Sequence, residues 1–95
     1  MNDHRMDLEQ VESNWRARGF HGGVWIDPPG QVWKDYIHDA DELVMLVEGA
    51  VEVEMNGAIH QLMPGEELLI PAHTYHTVRN TGTGRSRWLY AYRRG

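Results

Sequence analysis

The apolar positions of this chain change their period near Gly19. Upstream, Leu8, Val11 and Trp15 recur at spacings of three and four and make one narrow stripe. This pattern predicts a helix over residues 6–18, capped by Asn2 or Asp3 and ended by Gly19. A stripe so narrow suits a helix that lies on the surface of another element.

Downstream the period is two. Residues 24–26 read as a short strand, closed by the turn signal Asp27-Pro28-Pro29-Gly30. Residues 31–38 make a second strand. Residues 43–48 are almost entirely apolar, which predicts a strand buried on both faces. Val51-Glu52-Val53-Glu54-Met55 alternates strictly, so one of its faces is wet. Asn56-Gly57 is a strong hairpin signal leading into residues 58–62. Residues 67–70, 75–80 and 86–92 complete the set, with Thr81-Gly82-Thr83-Gly84 as a loop. Eight short strands with turns between them predict a sandwich or barrel. The division along the chain is a helical segment at 1–19 and a β unit at 20–95, together one domain.

Length and charge narrow the picture. At 95 residues the chain suits one domain. A domain of this size buries only about two-thirds of its unfolded surface, so self-association would add useful burial. The net charge of −5, without long runs of either sign, argues against nucleic acid or an anionic membrane as the main partner. Arg85, Arg87, Arg93 and Arg94 read as a solvated edge. The absence of cysteine excludes a thiol nucleophile, a disulfide scaffold, a zinc-thiolate site and an iron–sulfur cluster. Residues 1–10 are polar and acidic, unlike a signal peptide, and no apolar run approaches a membrane span. The expected location is the cytoplasm.

The chemistry concentrates in two segments. One is His38-Asp39-Ala40-Asp41-Glu42 with Gly49 beyond it; the other runs Gly65-x5-Pro71 to His76 and Asn80. Two imidazoles and one carboxylate are the minimum kit for a mononuclear metal site. Tyr36 and His38 stand two apart on the second strand and so face one way. Glu42 opens the third strand, with Val44 and Leu46 on its inward face. A carboxylate inside an apolar barrel needs a cation or an arginine partner. The bland alternative for each histidine is a hydrogen bond to a neighbour in the core.

These segments carry a resemblance to the small single-domain cupins, jelly-roll β-barrels. The family's first motif is G-x5-H-x-H-x(3,4)-E-x6-G, which His38, Glu42 and Gly49 match. Its second is G-x5-P-x-G-x2-H-x3-N, which Gly65, Pro71, His76 and Asn80 match at every spacing. The resemblance extends over residues 31–92. It implies an all-β small cupin barrel with one short N-terminal α-helix. It also implies that His38, Glu42 and His76 converge on a divalent transition metal, with Fe, Mn, Ni, Co and Zn all suited to an N/N/O set. Two departures fall beside that point: Tyr36 replaces the first histidine, and His73 replaces the glycine of P-x-G.

Tyr36 therefore either lines the pocket, packs as an ordinary aromatic, or serves as a fourth ligand. His73 is either an exposed turn residue or an acid/base group near the mouth. His21 and His60 read as surface residues, and Asp35, Asp39 and Asp41 as a solvated rim. Trp25, Trp33, Trp88, Tyr90 and Tyr92 are expected in core or interface, with Trp88 and Tyr90 on opposite faces of the last strand. Leu43, Met45 and Val47 face outward, which favours a homodimer. The expected function is binding of a metal and a small molecule inside the barrel, as in a dioxygenase, isomerase or lyase. The competing reading is a non-catalytic ligand-binding or sensing module.

Overall fold

In a computed structural model of the chain, residues 7–94 are described. The expected caps Asn2 and Asp3, and Met6, lie outside them. Helix α1 spans Leu8–Ala17, and its cap is Asp7, whose carboxylate accepts the Gln10 amide at 3.1 Å. Gly19, at φ +90°, ends the helix and donates its amide to the Arg16 carbonyl at 3.0 Å. Removing the cap by Asp7→Ala should lower stability by about 1 kcal/mol, read by thermal or denaturant melts.

Eight strands follow: β1 (Phe20–Asp27), β2 (Val32–Tyr36), β3 (Glu42–Glu48), β4 (Val51–Met55), β5 (Ala58–Leu62), β6 (Glu67–Ile70), β7 (His76–Asn80) and β8 (Ser86–Arg93). The alternation places β4, β5 and β6 at their predicted residues. β1 is longer than predicted, because β8 pairs with it from Phe20↔Arg93 to Asp27↔Ser86 and carries Gly22-Gly23 into the sheet. β2 is shorter: its register breaks between Trp33 and Tyr36, where Asp35 takes φ +57°. His38 thus lies beyond the strand that was expected to hold it.

The strands form two four-stranded antiparallel sheets, β1-β8-β3-β6 and β2-β7-β4-β5, packed as an open sandwich that hydrogen bonds do not close into a barrel. Between them lies a core of Val44, Leu46, Val51, Val53, Met55, Leu62, Ile70 and Val78. A second cluster of Leu43, Met45, Leu89 and Ala91 lies on the outer face of the first sheet, covered by Trp15 of α1 and by Phe20. β3 is therefore buried on both faces, as its composition predicted.

This arrangement corrects the basis for expecting a dimer. Leu43 and Met45 do face away from the inter-sheet core, but the chain's own helix covers them. Trp15 is 2% exposed, and its indole donates to Glu67 on β6 at 2.9 Å. Arg18 clamps the same carboxylate through two bonds of 3.0 Å each. The apolar surplus of β3 is thus consumed within one chain.

Two turns depend on their residues. Asn56 and Gly57 both have positive φ, +52° and +75°, as a two-residue hairpin requires. Gly49 sits at φ +96°, where a Cβ would meet the Arg85 carbonyl oxygen at 2.8 Å.

Candidate metal centre and aromatic cavity

The site is built from two cross-strand pairs and one loop residue. Glu42 pairs with Tyr92 in the first sheet, and His76 pairs with Tyr36 in the second. His38 lies on the link that carries the chain from β2 to β3. That link is pinned from several sides. The His38 carbonyl accepts the His73 amide at 2.7 Å. Asp41 accepts the Ala72 amide at 2.8 Å on its side chain and the Arg93 amide at 2.9 Å on its carbonyl. Asp41 therefore ties loops together rather than merely lining a wet rim.

His38, Glu42 and His76 present one ligand atom each within 4.8 Å of one another. The Nε2 atoms of both imidazoles lie 3.6 Å from Glu42 Oε1. Glu42 and His76 are buried and His38 is half-buried. The His76 tautomer follows from its partner. Nδ1 stands 3.1 Å from the Thr74 carbonyl oxygen, which can only accept, so Nδ1 carries the proton. In the neutral ring Nε2 is then the lone pair, turned towards Glu42. Glu42 Oε1 is itself buried with no hydrogen-bond partner among the described residues. Lone pairs converging without hydrogens between them repel unless a cation or a proton intervenes. The donor set therefore fits a metal ion.

The electrostatics agree. Burial pushes the Glu42 carboxyl up to about 7, against a smaller opposing effect of the Tyr92 hydroxyl. Burial, and next the neighbouring His76, lower the His38 pKa. Tyr92 is pushed up to about 12, first by burial and then by the Glu42 charge. Its hydroxyl lies 3.3 Å from His38 Nε2.

Tyr36 lines the same cavity, is 43% exposed, and stacks on His38 with centroids 6.3 Å apart. His73 is exposed and does not line the cavity; its φ of +62° explains why a glycine suits that position. The cavity measures about 330 Å³, and its walls include Trp25, Trp33, Val78, Trp88, Tyr90 and Tyr92. Trp88 and Tyr90 share one face of β8 rather than opposite faces. They are two residues apart, and a strand's period of two puts such residues together. The aromatics expected in core or interface are thus cavity walls, a role that the common phase of Trp88, Tyr90 and Tyr92 could have signalled. Asp27, read only as a turn residue, is buried behind those walls at 2% exposure.

A jelly-roll sandwich with two imidazoles and a carboxylate meeting at one end of its inter-sheet space is the architecture of a cupin. Residues 23–92 match the family model described as the cupin domain, and the chain belongs to that family. It is 33% identical over 72 residues to Protein SchB of Streptomyces halstedii, covering 76% of this chain and 52% of that protein. It is 31% identical over 64 residues to the 5-nitrosalicylic acid 1,2-dioxygenase of a Bradyrhizobium species, covering 67% of this chain and 31% of that enzyme. Among solved structures, it superposes on the Cupin_2 domain of an XRE family transcriptional regulator from Enterobacter cloacae. There the TM-score is 0.73 at 20% identity, over 84% of this chain and 86% of that one. The chain spans about half the length of curated relatives such as SchB. Among the described residues, no helix is long and apolar enough to cross a membrane.

Proposed function

We propose that this chain holds a divalent transition metal through His38 Nε2, Glu42 Oε1 and His76 Nε2, and binds a small molecule against it as a metal-dependent enzyme of the dioxygenase, isomerase or lyase type. The observation that carries this reading is the unpartnered, buried Glu42 Oε1 facing the lone pair of His76 Nε2. The likeness to a named dioxygenase supports the chemistry. When bound, the metal supplies Lewis acidity and open positions for a substrate's oxygen donors.

The chain's own residues prepare that site. The Thr74 carbonyl holds the proton on His76 Nδ1 and fixes the ring's orientation. The loop contacts of His38 and Asp41 hold the second imidazole. Tyr36 lines the pocket over His38 and is not a ligand. Tyr36→Phe should therefore keep its full metal content and change zinc affinity by less than about threefold, well below the 10- to 100-fold typical when a ligand's own support is lost. A larger loss would make Tyr36 the fourth ligand.

A second reading has one observation in its favour. Tyr36 stands where the family motif carries an imidazole, which leaves a sparser ligand set suited to a binding or sensing module. Turnover of any candidate substrate, abolished by Glu42→Gln, would decide against that module. Elemental analysis of protein made without an affinity tag or added metal tests the main reading. One equivalent of a transition metal is expected, and none at all would sink it.

A further inference from the structure

Asp27 is a buried carboxylate on which three tryptophans converge. Its Oδ1 accepts the indole N–H of Trp25 on β1 at 2.8 Å and of Trp33 on β2 at 3.0 Å; its Oδ2 accepts that of Trp88 on β8 at 3.1 Å. These strands belong to both sheets. The backbone beneath is anchored as well: the Asn80 amide donates to the Pro28 and Gly84 carbonyls at 3.0 Å each. An apolar residue would fill this place without the desolvation that a buried carboxylate suffers. What the carboxylate adds is direction, because each indole must turn its N–H edge towards it.

The remaining ring faces and carbon edges are what the cavity offers. Trp25 meets Trp33 at 75° and Tyr90 at 79°, and Trp88 meets Tyr90 at 68°, all edge to face. Among the described residues, no lysine or arginine lines the cavity. A volume of about 330 Å³ is at the small end for ligand sites and suits a compact molecule.

We propose that the cavity selects a compact planar aromatic ligand, and that Asp27 is the positioning residue that sets the indole wall against which the ring lies. The placement of that ligand's oxygen donors at the His38–Glu42–His76 end rests on the metal reading above; the aromatic selection does not. Ring-to-ring contacts add to what buried area alone gives, so two or three of them give a preference of about tenfold or more over a saturated ring of equal size.

Calorimetric titration of the tag-free chain, zinc-loaded and chelator-treated, tests this with 2-naphthol, decahydro-2-naphthol, salicylate and tetramethylammonium. The expected result is 2-naphthol at least about tenfold tighter than its saturated counterpart in both metal states. Asp27→Asn, whose amide cannot accept from all three indoles, should cut that preference to within about threefold while zinc affinity stays unchanged. If Asp27→Asn fails to fold, Trp33→Leu should show the same loss. Equal binding of the naphthol pair, tighter binding of tetramethylammonium than of 2-naphthol, or a preference untouched in the folded variant would overturn the proposal. Salicylate binding that ignores zinc, beside an intact naphthol preference, would count against the metal centre and support the aromatic selection.

Discussion

Replacing His76 with alanine should abolish metal retention, with zinc affinity falling by more than about a hundredfold. Even removing a group that only supports a ligand costs 10- to 100-fold, and His76 is expected to supply one of three donor atoms. The same variant should lose the thermal shift that zinc gives the parent chain. That shift corresponds to about 4 kcal/mol at a thousand times Kd, by mass action alone. His38→Ala should weaken binding in the same direction. His73→Ala should not, since His73 is exposed and away from the cavity. Elemental analysis with melts at graded zinc concentrations measures both effects. Undiminished zinc in His38→Ala and His76→Ala would remove the assigned ligands.

In the metal-free chain Glu42 alone should withdraw about 3 kcal/mol of stability as the pH rises from 4.5 to 7, at about 1.4 kcal/mol per pKa unit. The sign follows from where the proton sits. Burial raises the Glu42 pKa from 4.5 to about 7, so across that window the folded chain keeps a proton that the unfolded chain releases. Stability conferred by the neutral carboxyl is whole below 4.5 and is lost as the pH passes through 7. His38 works the other way below its ordinary 6.5, because its folded pKa is lowered. Denaturant melts across this range should show the falling limb, and Glu42→Gln should flatten it. Zinc should restore stability most at pH 7 and above, where the carboxylate is charged. A variant that keeps the wild-type slope would show that Glu42 is not its source.

The sequence made the strands legible wherever alternation or turn chemistry was strict. The Val51-Glu52-Val53-Glu54-Met55 alternation and the Asn56-Gly57 hairpin are local signals, and the structure follows them residue for residue. The two histidine segments placed His38, Glu42 and His76 together because family spacing encodes which strand ends meet. Less legible were features decided by distant contacts. That Leu43 and Met45 needed a cover was evident; that Trp15 provides it, and not a second copy, depends on residues far apart in the chain. Asp27 looked like part of a turn because Asp-Pro-Pro-Gly is one. Its hold on three indoles arises only when β1, β2 and β8 converge.

The placement of the triad has a mechanical consequence. Glu42 belongs to one sheet, His76 to the other, and His38 to the strand-free link between them. An ion held by all three would act as a clasp across the open end of the sandwich, coupling two layers that are otherwise joined there by apolar contact and by two crossing loops, 37–41 and 71–75. Amide hydrogens near that end, in β2 and β7, would then exchange with solvent more slowly in the loaded protein, while those at the β3–β4 turn, which lies at the opposite end beside Asn80, kept their pace.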